Sequence, residues 1–189
     1  MYEEIIEDLK TRLSSKRFAH TLGVARAAVA LAERYGEDPE EAYLAGLLHD
    51  CAKEIPLSQM QQLVDKSGLT IDVDMYVNGA LLHGVSGAIL ARSRYGVTNP
   101  HILEAIRYHT TGRVGMTPLD MIIFLADYIE ETRDFPGVAE LRQIAFKDLE
   151  AGVLAGYDNT IRHLLDQGLS IYFKTILGRN DIVRRIKSR

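Results

Sequence analysis

Residues 44–56 read LAGLLHDCAKEIP. An apolar helical run carries Leu44, Leu47 and Leu48 and then stops on His49 and Asp50, with Lys53 one turn further on. An imidazole and a carboxylate behind a buried face are costly unless they are paired or bound to a cation. Adjacent helical residues project about 100° apart, so both reach one cavity only at a helix end or a local distortion. Their partners must come from other parts of the chain.

Outward from this stretch, helical punctuation dominates and strand alternation is nearly absent. Before it, Ser14 or Ser15 caps a helix in which Phe18, Leu22, Ala25, Val29 and Ala32 repeat at helical spacing up to Gly36. Asp38, Pro39, Glu40 and Glu41 then supply a cap, a proline at the first helical position and first-turn acids. After it, a shorter helix is predicted over 56–66, with Gly68 just past its end. Residues 69–84, LTIDVDMYVNGALLHG, read as loop. Helical pattern resumes from Val85 to Arg94, restarts at Asn99-Pro100, and starts again at Thr117, Pro118 and Asp120 before MIIFLADYI. Two further stretches follow: one over 138–167 with a break near Gly156, and the basic end after Gly178. The prediction is an all-α, bundle-like single domain.

The bulk properties narrow the function. With 189 residues and 47% hydrophobic content the chain can bury one substantial core. A net charge of -4 argues against a general nucleic-acid binder, which relies on clustered cations. The single cysteine, Cys51, fits a reducing compartment and excludes a Cys-rich zinc site. The opening MYEEIIEDLK is acidic and amphipathic, unlike a secretory signal, and no run approaches the roughly 20 apolar residues of a membrane span. A cytoplasmic protein without nucleic-acid or membrane partners is expected. Apolar residues exposed on an amphipathic first helix would allow a homodimer.

Four residues share the character of His49 and Asp50: His20, His83, His109 and Asp127. His20 lies on a stripe with Val24, Ala27 and Leu31, and Asp127 interrupts the very apolar IIFLA. Imidazole nitrogen with carboxylate oxygen is a donor set for zinc, iron or manganese. Taken singly, an inward histidine is more often a core residue bonded to a backbone carbonyl. His101 and His163 read as surface or capping histidines, and Cys51 as a small buried residue. Convergence of distant helices on one ion would resolve the cost of all these groups together. Lys53 is a flexible point charge able to meet a phosphate oxygen, and it forms with Asp50 the expected catalytic pair.

In order, His20, His49-Asp50, His83, His109 and Asp127 resemble the H…HD…D pattern of the HD-domain metallohydrolase superfamily, with two extra histidines as in members that hold two metals. Longer stretches are similar to the bacterial YqeK family over nearly the whole chain: RFAHTLGVARAAVALAERYG, AGLLHDCAKEIP, LLHGVSGAILARSRYG, IRYHTTGRVGMTPLDMIIFLADYIEETRDFPG and GLSIYFKTILGRN. The resemblance implies one HD domain over 1–189, with a C-terminal helical extension from about 138. It also implies symmetrical, metal-dependent hydrolysis of diadenosine tetraphosphate and related dinucleoside polyphosphates to two nucleoside diphosphates. Iron, as one or two ions, is the implied cofactor, with manganese, cobalt or zinc as substitutes.

Carried over by position, His20, His49, Asp50 and Asp127 hold the first ion. His83 and His109 hold a second ion or the phosphates, with Asp50 bridging. Nucleotide contacts fall on His20, Lys53, His83, His109, Thr110, Thr111 and Arg133, and on Ser170, Ile171, Tyr172, Phe173, Lys174 and Thr175. Tyr172 and Phe173 offer rings for a base, although such rings more often pack in a core. The alternatives are a phosphohydrolase acting on another nucleotide, since fold and metals do not choose a substrate, and a low-turnover nucleotide-binding sensor.

Overall fold

Side-chain caps set most helix starts in this chain. Ser14 accepts from the Arg17 amide to begin α2 (Ser15–Tyr35), and Gly36 closes that helix at φ 74. Asp38 accepts from the amides of Glu40 and Glu41 to begin α3 (Pro39–Leu48). Thr117 and Asp120 form a reciprocal capping box at the start of α8 (Pro118–Ile129). The computed structural model describes residues 2–189, and among them there are eleven helices and no strand. The remaining helices are α1 (Tyr2–Arg12), α4 (Leu57–Ser67), α5 (Val73–Tyr76), α6 (Gly79–Ser93), α7 (Pro100–Tyr108), α9 (Val138–Lys147), α10 (Leu149–Asp166) and α11 (Phe173–Lys187).

α8 is the central element. Its residues 119–126 and Ile129 are all buried, which is the burial pattern of a helix apolar on every side. α2, α3 and α7 surround it, with α6 against α7 and α9 and α10 on the far side. Glycines set the closest approaches. A Cβ on Gly46 of α3 would lie 2.9 Å from Ala25 Cα of α2, and one on Gly84 of α6 would lie 2.6 Å from Arg107 O of α7. Each glycine sits within a turn of an inward histidine, so close backbone packing brings His49 toward α2 and His83 toward α7.

Four expectations are corrected. Residues 69–84 contain the short α5 and the start of α6, so His83 is helical. Gly84, which helps this segment look like loop, is there for contact with α7, and Asn78 caps the Ala80 amide. The break within 138–167 falls at Asp148, which caps α10, while Gly156 stays helical beneath the Phe124 ring. The basic terminal helix begins at Phe173, ahead of Gly178. The apolar face of α1 is also used internally: Ile5 and Leu9 are buried and Ile6 packs on the same core, leaving no exposed stripe there for a dimer. No helix among the described residues is long and apolar enough to cross a membrane.

Candidate metal centre

α3 ends at Leu48, and the chain continues through His49 and Asp50 into a run of tight turns. The Cys51 amide donates to Leu48 O and the Lys53 amide to Asp50 O. Leaving the helix at this point lets the two adjacent side chains enter one cavity. His20 comes from the second turn of α2, His83 from α6, His109 from the end of α7 and Asp127 from the last turn of α8.

These side chains meet around Asp50. Its Oδ2 lies 3.8 Å from His20 Nε2 and 3.4 Å from His49 Nε2, while Oδ1 lies 3.2 Å from His83 Nε2 and 3.5 Å from His109 Nε2. His20 Nε2 is 3.0 Å from Asp127 Oδ1, and the Nε2 atoms of His83 and His109 are 3.0 Å apart. Three overlapping sets have ligand atoms within 4.8 Å of one another: His20, His49 and Asp50; His49, His109 and Asp127; and Asp50, His83 and His109.

The far ring nitrogens explain the aim of these imidazoles. His49 Nδ1 lies 2.6 Å from Gly46 O, and His109 Nδ1 lies 2.7 Å from Ile106 O. His20 Nδ1 lies 3.0 Å from Glu130 Oε1. A carbonyl or carboxylate accepts here, so each Nδ1 carries the proton and each Nε2 keeps its lone pair. His20 Nε2, His49 Nε2 and Asp50 Oδ1 are buried and make no directed hydrogen bond, even where the distances are short. Buried acceptors converging without donors are exceptional in folded proteins, and a cation at their focus satisfies all of them. The residues fit a metal ion.

Electrostatics point the same way. Burial alone would raise the Asp50 carboxyl, but the imidazoles gathered around it, His49 foremost with His109 and His83, hold it well below the usual range. Asp127 is likewise lowered against burial by His20, His49 and Arg133. Burial lowers His83 to about 4, so it is a neutral donor near pH 7. Burial pushes the Cys51 thiol up to about 12, which leaves it protonated beside the cluster.

The other expected site residues divide into two groups. Lys53 Nζ lies 3.2 Å from His83 Nε2, and Thr110 Oγ1 lies 3.1 Å from His83 Nε2 and 3.0 Å from His109 Nε2. Arg133 donates from Nη2 to Asp127 Oδ1 and from Nε to Asp127 O at 2.7 Å. By contrast, among the described residues Ser170, Ile171, Tyr172, Phe173, Lys174 and Thr175 make no hydrogen bond or ion pair with the donor cluster. Tyr172 OH and Lys174 Nζ are held on Asp72 Oδ2 at 2.6 and 2.8 Å. Tyr172 and Thr175 are buried, whereas Phe173 is 48% exposed. Thr111, Phe173 and Lys174 share the wall of a cavity of about 290 Å³. Ser170, Ile171 and Tyr172 line a neighbouring one. His101 and His163 are exposed.

Two residues at the centre were missed from sequence. Arg17 Nη1 donates to Asp50 Oδ2 at 2.7 Å, and Glu130 supports His20. The available signal was spacing: Arg17 precedes His20 and Glu130 follows Asp127 by one helical turn.

The model of the HD domain family matches residues 17–132, which include every member of the donor cluster. The chain belongs to the HD-domain family. This HD-domain protein is 39% identical to a symmetrical bis(5'-nucleosyl)-tetraphosphatase of Bacillus subtilis (strain 168), over 96% of its own length and 97% of the relative's. It is 38% identical to the Staphylococcus aureus (strain NCTC 8325 / PS 47) protein of the same name, over 88% and 87% of the two chains. A crystal structure from Clostridium acetobutylicum, described as a predicted HD superfamily hydrolase involved in NAD metabolism, superposes with TM-score 0.95 at 42% identity, covering 98% of each chain.

Proposed function

We propose that this protein is a metal-dependent phosphohydrolase that cleaves diadenosine tetraphosphate symmetrically into two ADP. The observation that carries the reading is the match over 96% of the chain to symmetrical bis(5'-nucleosyl)-tetraphosphatases. The convergence of buried donors on Asp50 supports it independently. Water adds to one of the two central phosphorus atoms, the bond to the bridging oxygen breaks, and the other ADP leaves.

His20, His49, Asp50 and Asp127 hold the first ion in this reading. His83 and His109 hold a second ion or take phosphate oxygens, with Asp50 shared. A bound divalent ion would supply Lewis-acid charge there and bring the pKa of its water down to about 7. Lys53 and Thr110, both within hydrogen-bond reach of His83, meet phosphate oxygens at that side. Arg17 and Arg133 rest on the two carboxylates and are placed to take up phosphate charge once an ion occupies the centre. The nucleoside lies along Thr111 and residues 170–175, with Phe173 as the exposed ring. Iron is the native ion in this proposal, with manganese, cobalt or zinc able to replace it. The chain works in the cytoplasm as one HD domain carrying a helical extension, α9 to α11, beyond the matched 17–132.

The test is elemental analysis of the purified protein joined to product identification. Two ADP from each diadenosine tetraphosphate is the expected outcome, and AMP with ATP would defeat the symmetrical assignment. A panel compared by kcat/KM, with NAD and nucleoside monophosphates included, tests the substrate class. Tight binding without turnover by iron-loaded protein would replace the enzyme with a sensor.

A further inference from the structure

Glu130 is the residue at which the chain leaves α8, and its side chain is completely buried beneath His20. Its Oε1 lies 3.0 Å from His20 Nδ1 and accepts from Thr132 Oγ1 at 2.6 Å, while Oε2 accepts from the Thr132 amide at 2.7 Å. Room for the carboxylate comes from α2 itself: a Cβ on Gly23 would lie 2.4 Å from Glu130 Oε2. We propose that Glu130, fixed by Thr132 and accommodated by Gly23, is the positioning residue that sets the tautomer and aim of His20 in the metal centre.

The neighbouring imidazoles show what this arrangement replaces. His49 and His109 sit just past helix ends, and each reaches the carbonyl three residues back. His20 lies within α2 and takes its acceptor from the end of α8, 110 residues away in sequence. A carboxylate held by two donors can only accept from Nδ1–H, so Nε2 is left with its lone pair toward Asp50 and Asp127. The contact also couples the α2 and α8 parts of the centre, because Asp127 and Glu130 lie one turn apart on the same helical end.

Glu130→Gln tests the tautomer directly. The Thr132 amide can only donate, so the glutamine oxygen must face it and the glutamine NH2 then faces His20 Nδ1. That arrangement makes Nδ1 an acceptor and moves the ring proton to Nε2, which blocks it as a ligand. In full-length protein loaded with zinc, ¹⁵N spectra should show His20 protonated at Nδ1. Glu130→Gln should bind zinc about 10–100-fold more weakly while keeping its helical circular dichroism. Gly23→Ala should reproduce that loss by displacing the carboxylate, and the double variant should lose no more than either single one.

An Nδ1 without a proton in the zinc-loaded wild type would overturn the proposal, and this measurement needs no variant to fold. A folded Glu130→Gln with wild-type zinc affinity would also overturn it. The proposal rests on His20 being a ligand: His20→Ala with unchanged zinc affinity overturns it at that step, whatever products the enzyme makes.

Discussion

The two sides of Asp50 contain the same kinds of donor in different surroundings. On the Oδ2 side, His20 and His49 have their far nitrogens committed to Glu130 and Gly46, and Asp127 brings a second carboxylate. On the Oδ1 side, His109 is oriented by Ile106 O, but the Nδ1 of His83 has no hydrogen-bond partner. Lys53 and Thr110 stand against that pair, and among the described residues no carboxylate other than Asp50 is within ion-pair distance of it. Oriented ligands with two anionic oxygens favour tight binding of a cation. Two imidazoles beside an ammonium group favour an anion, or a cation only when phosphate accompanies it. Under the proposed function, the first side would hold an ion permanently and the second would complete itself with substrate.

Asp50→Ala is the most damaging change, because both sides share that carboxylate. Both the bound metal and the hydrolysis should fall to background, as read by elemental analysis and product chromatography. Activity persisting in metal-free Asp50→Ala protein would break the comparison altogether. The next experiment separates the sides. His49→Ala should remove the tightly held ion, whereas His83→Ala should retain about one equivalent per chain and lose rate. Equal metal loss in the two variants would make the sides equivalent.

The positive groups around the centre sharpen the contrast further. Lys53→Ala and Arg17→Ala each delete a charge-assisted hydrogen bond to phosphate in the proposed complex. Such bonds contribute about 1.5–3 kcal/mol, or roughly 10–150-fold in kcat/KM. Metal content should be unchanged in Lys53→Ala, since that ammonium group is not a ligand. Burial already lowers the Lys53 pKa, so little of its charge is shielded by water and its loss should be felt strongly. A variant with full kcat/KM would remove Lys53 from the site.

The sequence made the donor cluster legible for a physical reason. A carboxylate inside IIFLA and an imidazole-carboxylate pair ending LAGLL are expensive, and such expense is visible without a structure. Helix starts were equally legible, because Ser14, Asp38, Asn99 and Thr117 are local signals that tertiary packing did not override. What escaped was set by contacts between helices. Gly84 reads as a loop residue, yet it permits close approach to α7. Nothing marks Glu130 and Arg17 out within EET and SKR, because only the fold places them against His20 and Asp50. The α1 face read as spare apolar surface until packing showed Ile5 and Leu9 buried.

The smallest expected effect concerns the scaffold of the second side. α6 carries His83 in its first half, and its far end is clamped to α1. There Arg94 Nε donates to Asp8 Oδ2 at 2.9 Å and Tyr95 OH donates to the same oxygen at 2.7 Å. The Arg94 hydrogen bond is the main reason the Asp8 carboxyl is lowered to about 2, with Tyr95 assisting and burial opposing. Arg94 is half-exposed and solvent screens the pair, so Asp8→Asn should cost only about 1 kcal/mol in denaturant unfolding. The folded pKa lies below the unfolded value near 3.9, so the contribution is complete above pH 4 and disappears as pH falls toward 2. The stability difference between wild type and Asp8→Asn should therefore close across that window. Metal held by His20 and His49 should not change, because the side chains that donate to Asp8, Arg94 and Tyr95, lie outside α2 and α3. A loss of the tightly held ion in Asp8→Asn would show that the two sides of Asp50 are mechanically one.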